Sequence, residues 1–152
     1  MNSLYDQGIT IGCEVYASYP DAVIPTKTHE SDAGYDLTII REEKKLLNNT
    51  TLFDTGIKVK VPLGYYVEVV PRSSLSKSGY MLANSVGIID NSYTGNIFIA
   101  LTKIDTEAPD IVLPFKCCQL IFRKQIYANM YVVNEDFEKT SRGDGGFGST
   151  DK

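Results

Sequence analysis

The chain has 152 residues, 43% of them hydrophobic and 22% charged, an ordinary composition for one globular domain with a buried core. Its net charge of −4 at pH 7 and pI near 5.0 argue against a nucleic-acid-binding surface, so an anionic ligand needs locally placed cations or backbone amides. Three cysteines cannot all pair within one chain, one histidine and no metal-ligand spacing leave no metal centre to read, and no apolar stretch is long enough to span a membrane.

Residues 1–6 lack the basic and apolar regions of a signal peptide. Together with the unpaired cysteines, this predicts a reduced protein, cytoplasmic or otherwise intracellular. The sequons at Asn48 and Asn49 are then expected to stay unglycosylated.

Residues 9–15 predict a first strand, and an irregular stretch with Pro20 and Pro25 follows. Ser31-Asp32-Ala33-Gly34-Tyr35-Asp36-Leu37 then runs into the β-branched Thr38-Ile39-Ile40, a turn entering a strand with Asp36 beside it. The charged residues 41–49 predict a solvated connection. Ile57, Val59 and Val61 alternate with Lys58 and Lys60, the period of a half-buried strand. Pro62-Leu63-Gly64 reads as a turn and residues 65–70 as the next strand, giving a two-strand hairpin that ends at Pro71.

Pro71-Arg72-Ser73-Ser74-Leu75-Ser76-Lys77-Ser78-Gly79 breaks the strand pattern. Ser73 is a candidate N-cap and Gly79 can close a helix of about two turns. Amides at such an N-terminus, serine hydroxyls and one guanidinium make an anion site, or else an ordinary capped helix beside a surface arginine. From Asn84 to Asn96 an apolar run ends on Asp90, a polar corner follows, and Tyr93 and Gly95 open the next run. The pattern predicts a tight strand-to-strand turn with Asp90 at its base, where the carboxylate either serves the turn backbone alone or is presented to a ligand.

Residues 97–104 predict a buried strand, 105–110 a turn containing Pro109, and 111–113 and 117–127 further strands with Pro114 between them. Alternation would send the vicinal Cys117 and Cys118 to opposite faces. Residues 130–133 are the last apolar piece, and the polar, glycine-rich end has the composition of a disordered tail. Gly143, Gly145 and Gly148 spell G-x-G-x-x-G, but no strand precedes them and no helix can follow, so the dinucleotide reading fails. A mobile segment remains, whose glycines let amides approach an anion, with Arg142 for charge and Phe147 to stack on a flat ring.

The segment GIIDNSYTG resembles the third motif of the trimeric dUTP pyrophosphatases (dUTPases). SDAGYDL, PRSSLSKSG, FKCCQL and RGDGGFGST resemble that family's first, second, fourth and fifth motifs, in order. Strand patterning by itself gives an all-β chain of at least eight short strands, one short helix and no long helix, without choosing among sandwich, barrel and jelly roll. The resemblance implies a jelly-roll-like fold over residues 1–140, with residues 141–152 a mobile lid. It also implies a homotrimer with active sites shared between subunits.

The implied reaction is hydrolysis of dUTP to dUMP and pyrophosphate by water attack on the α-phosphorus, lowering dUTP and supplying dUMP for thymidylate synthesis. The resemblance makes Asp90 the general base, oriented by Arg72, with Arg72, Ser73, Ser74 and Gln119 on the phosphates. Magnesium would be bound mainly through the substrate phosphates, with Asp36 acting through its water shell. Main-chain groups of Gly87, Ile88, Ile89 and Phe98, assisted by Asn84, would read uracil, and Tyr93 would pack under the deoxyribose. Arg142, Gly148, Ser149 and Thr150 would hold the γ-phosphate, with Phe147 over the base. The chain departs from the family at Cys117 and Cys118, at Thr94 where arginine is usual, and at Asp151 where glycine is common. Deamination of dCTP, with no evident acid to serve it, and a non-enzymatic nucleotide-switched regulator stay open as alternatives.

Overall fold

A computed structural model describes residues 8–149 of the chain. Among them are the strands β1 (Glu14–Ala17), β2 (Tyr35–Ile39), β3 (Arg41–Leu47), β4 (Thr50–Asp54), β5 (Ile57–Lys60), β6 (Tyr65–Pro71), β7 (Tyr80–Leu82), β8 (Gly87–Ile89), β9 (Phe98–Lys103) and β10 (Phe115–Lys124). All pairings between them are antiparallel. Two four-stranded sheets, ordered β2-β10-β6-β8 and β3-β4-β9-β7, and a two-stranded sheet β1-β5 share one apolar core. Leu37, Ile39, Val67, Val69 and Leu120 face Phe53, Ile99 and Leu101 there, with Ile57 and Val59 supplied by β5. The fold is all-β and jelly-roll-like, as the strand patterning and the resemblance together imply.

The period-of-two reading of residues 57–61 holds, because Ile57, Val59 and Val61 are buried. The hairpin does not form. β5 pairs with β1, while β6 pairs with β10 and β8. Pro62 has no N–H to extend a ladder, and Gly64, at φ 88°, turns the chain so that Tyr65 N–H donates to the Pro62 carbonyl. The strand is thereby sent across to the other sheet, where β10 offers a partner along the whole length of β6. Apolar alternation identifies a strand but not its neighbour.

Three other expectations are corrected. The first strand spans Glu14–Ala17 rather than residues 9–15, because its partner β5 runs only from Ile57 to Lys60. Residues 41–47 form β3 instead of a connection. As an edge strand bonded only to β4, it keeps its charged side chains in water, so no hydrophobic period marks it. Residues 111–113 lie outside the strands, and β10 begins after a cis Leu113–Pro114 bond.

A β-bulge falls in β10, where Lys116 opposes Thr38 but Cys118 opposes Leu37, leaving Cys117 as the extra residue. Both cysteines are consequently buried, rather than divided between faces. From residue 125 to residue 149 the chain belongs to no strand, and Ile126, Tyr127, Met130, Tyr131, Val132 and Phe137 are all exposed. Among the described residues, no helix is long and apolar enough to cross a membrane.

Candidate active site

The first cluster lies where β6 ends. Asp36 of β2 stands opposite Gln119 of β10, and β10 in turn places Cys118 opposite Pro71. Arg72 follows immediately. Its backbone N–H donates to the Cys117 carbonyl at 3.0 Å and its Nη1 to the Lys116 carbonyl at 3.3 Å. Arg72 Nε sits 3.0 Å from Asp36 Oδ1, and Lys116 Nζ lies 3.8 Å from Asp36 Oδ2. Gln119 Nε2 donates to the Pro71 carbonyl at 3.2 Å, which leaves a second amide hydrogen available. Gly34 makes room for that side chain, since a Cβ there would collide with Gln119 Oε1 and Cδ.

The short helix that follows is a 3-10 helix, Ser73–Lys77, rather than two α-turns. Arg72, not Ser73, occupies the N-cap position, and it makes no side-chain cap bond. Buried Leu75 pins the helix to the core, while Ser73 and Ser74 face solvent. Gly79 takes the left-handed conformation just past its end, as expected. Two cations against one carboxylate, with serine hydroxyls and an amide beside them, favour an anion on this otherwise acidic chain. Lys116 is invisible as a site residue in the sequence, because a lysine before an apolar pair reads as an ordinary solvated position.

The second cluster is a cavity of about 180 Å³ lined by Val69, Leu82, Asn84, Gly87, Ile88, Ile89, Tyr93 and Phe98. It forms where the chain leaves one sheet at β7, visits the other as β8, and returns as β9. β8 is an edge strand bonded only to β6, so its outer row of backbone N–H and C=O groups is free to read a flat polar ring. Asn84, Gly87, Ile88, Ile89, Tyr93 and Phe98, all picked out from the sequence for base and sugar, converge here. A larger cavity of about 420 Å³ lies elsewhere, lined by Ile11, Cys13, Tyr35 and Phe122 among others, and holds none of the residues picked out for base and sugar.

Asp90 follows β8 and is exposed. Its carbonyl accepts the Tyr93 N–H at 3.0 Å, closing the expected turn. Ile89 opposes Val67, so the next residue reaches the Tyr66 level of β6, and Asn91 Nδ2 donates to the Tyr65 carbonyl at 3.4 Å. Asp90 therefore sits at the start of β6, whereas Arg72 follows its end. The separation is roughly 20 Å at the usual strand rise, too far for the two side chains to meet in one chain. Arg72 is turned to Asp36 instead.

The tail bonds to itself. Gly145 N–H donates to the Arg142 carbonyl, Arg142 Nε to the Gly145 carbonyl, and Ser149 N–H to the Gly146 carbonyl. Phe147 adopts φ 47° and Gly148 φ 83°, and the Phe147 ring is fully exposed. Thr150 lies outside the described residues. No group of three or more His, Cys, Asp or Glu able to hold a metal is present among the described residues.

The dUTPase family model matches residues 20–151. A deoxyuridine 5′-triphosphate nucleotidohydrolase of Leptospira interrogans is 34% identical over 134 residues, covering 86% of this chain and 92% of its own length. The chain belongs to the dUTPase family. The Finegoldia magna enzyme of the same name is 37% identical over 131 residues, covering 84% of this chain and 90% of its own. Among solved structures, a dUTPase variant of Staphylococcus bacteriophage 80alpha bound to dUpNHpp has a TM-score of 0.72 at 23% identity, over 93% of this chain and 99% of that one. A point mutant of the dUTPase of S. aureus phage phi11, which coordinates a structural Mg(II) ion, is 19% identical with a TM-score of 0.70 over 84% of this chain and all of its own. The enzyme hydrolyses dUTP to dUMP and pyrophosphate, which leaves deamination of dCTP without support.

Proposed function

We propose that each dUTP lies across two copies of the chain. Uracil and deoxyribose occupy the β8 cavity of one copy, and the triphosphate meets Arg72, Ser73, Ser74, Lys116 and Gln119 of a neighbour. The single observation that carries this is the separation of Asp90 from Arg72 along β6. A second supports it: a run of large apolar side chains between Ile126 and Phe137 is left in water, a surface suited to a neighbouring copy. A homotrimer with shared sites satisfies both, and residues 1–140 then act as the body with 141–152 as a lid.

In this reading Asp90 accepts the proton of the attacking water, and Arg72 and Lys116 offset charge as pyrophosphate leaves. The edge of β8 presents donors and acceptors that suit uracil and leave cytosine with mismatched partners. Magnesium, when bound, screens the triphosphate and favours its in-line geometry. Asp36, already held by Arg72, can accept from the ion's water shell. The lid brings Arg142, Gly148, Ser149 and Thr150 to the γ-phosphate and the free Phe147 ring to the base. The three free thiols support a reducing, intracellular setting.

Asp90→Asn tests the chemistry. Single-turnover hydrolysis should fall by roughly 10²–10⁴-fold while dUpNHpp binding stays intact, the usual worth of a general base. Near-normal single-turnover rates would remove Asp90 from that role.

A further inference from the structure

Under the loop that carries Tyr93 lies a polar network that no step of the reaction uses. Asp54 is only 1% exposed, at the end of β4. Its Oδ1 accepts the Gly56 N–H at 2.7 Å, and both of its oxygens accept Asn96 Nδ2 at 3.2 Å. Asn96 Oδ1 accepts the Ser18 hydroxyl at 2.6 Å, so the orientation of the amide is fixed at both ends. The Asn96 backbone carbonyl accepts the Tyr93 phenol at 2.6 Å. Gly95 lets the ring lie this close, since a Cβ there would stand 2.8 Å from Tyr93 Oη and 3.0 Å from Cζ. The next residue is clamped as well: Ile97 N–H donates to the Ile57 carbonyl at 2.8 Å, and the Ile97 carbonyl accepts Thr55 Oγ1 at 2.7 Å.

A carboxylate costs free energy to bury and is tolerated where donors surround it. Here the donors it gathers are the turn at Gly56 and the foot of the Tyr93 loop. Nothing else in the core needs a charge at that point, because the neighbouring inward positions of β4 and β5 are filled by Phe53 and Ile57.

We propose that Asp54 and Asn96 form a positioning pair for sugar selection, setting the height of the Tyr93 ring and so the room left for a 2′-hydroxyl. The inference rests on the reading of Tyr93 as the deoxyribose platform. Asp54 touches no substrate and acts through Asn96. A shift of the loop by a fraction of an ångström would open the space in which a ribose hydroxyl is excluded, while leaving Asp90, Arg72 and the β8 edge in place.

The test is a reciprocal exchange, read as the ratio of kcat/KM for dUTP to that for UTP. Asn96→Asp sets one carboxylate against another and should lower the ratio about tenfold, through the KM values more than kcat. Adding Asp54→Asn to that variant restores a donor facing an acceptor, with the oxygen of the introduced amide still available to the Gly56 N–H, and should return the ratio to near wild type. Tyr93→Phe cuts the link at its exposed end without threatening folding and should also lower the ratio. It keeps the test decisive if Asn96→Asp does not fold. Thermal unfolding midpoints that drop with an unchanged ratio would make the pair merely structural, and a double variant that folds without recovering discrimination would overturn the proposal. Tyr93→Ala separates the two layers. An unchanged ratio there refutes the sugar-platform reading beneath the inference, whereas a changed ratio with unaffected Asn96→Asp and Tyr93→Phe variants refutes the pair alone.

Discussion

If Asp90 and Arg72 act on one nucleotide from two different copies, two dead variants should rescue each other. Asp90→Asn removes the base, and Arg72→Gln removes the guanidinium that stands 3.0 Å from Asp36. Each alone should lower turnover by roughly 10²-fold or more. The register of β8 on β6 sets Asp90 at the Tyr66 end and Arg72 beyond Pro71, so neither variant can repair its own site from within. After the two proteins are mixed in equal amounts, unfolded and reassembled together, a given site draws its position 90 from one copy and its position 72 from another. Half of the first donors and half of the second carry the intact residue, so about one quarter of sites, and of wild-type activity, should return if assembly is random. Pyrophosphate release from dUTP measures it, with affinity tags of different mass proving that mixed oligomers formed. Mixed oligomers no more active than either parent would refute the reasoning, because both residues would then be serving a site within one copy.

Deleting residues 141–152 should leave thermal stability unchanged, since the hydrogen bonds described for the tail run within it or to the adjacent Thr140, yet lower kcat by about 10²–10³-fold; circular dichroism and steady-state assays check the two halves, and full activity would mean it is no lid. Gly34→Ala should drive the Gln119 side chain from its place and raise KM for dUTP several-fold while leaving the fold intact, read from kinetics and a melting curve. A thiol reagent should label Cys13 alone in the native protein, because Cys117 and Cys118 are buried, and all three after unfolding. Burial raises the Cys13 thiol above its ordinary value, so its labelling rate should keep climbing with pH after that of a free cysteine has levelled off.

The parts of this molecule legible in its sequence are those where chemistry is written locally. Asn84, Gly87, Ile88, Ile89, Tyr93 and Phe98 occupy a short stretch of chain around one crossing between sheets, and they meet in one cavity. Asp36, Arg72 and Gln119 are far apart in the chain but stand on, or just past the end of, neighbouring strands, and the motif resemblance links them where periodicity cannot. What stays hidden is partnership. Residues 57–71 alternate as a hairpin would, but the partner of each strand depends on β1 and β10, far along the chain. β3 shows no apolar period because an edge strand needs none. Asp54 is, in the sequence, a polar residue at a strand end, and only its distances to Gly56 and Asn96 reveal what it holds. The spacing of Asp90 from Arg72 is a property of register, which no composition or motif expresses.

The bulge in β10 carries a consequence for how this chain can vary. Lys116 and Gln119 both turn toward Asp36, with two buried cysteines between them, an arrangement that strict alternation forbids. The extra residue is what permits it. Loss of Cys117 alone would remove the bulge and join Lys116, Cys118 and Gln119 in one continuous register against Thr38, Leu37 and Asp36, so both polar side chains would keep their face. What would go is the bend that the extra residue gives β10 and one of its two buried thiols. Side-chain exchange at the cysteine positions is a matter of volume and can be absorbed by repacking, so Cys117 and Cys118 are free to drift among small apolar types. In a library of random single-residue deletions, loss of one cysteine should therefore survive more often than loss within residues 119–124, where β10 pairs with β6 without a break and a deletion turns the side chains on one side of it to the opposite face.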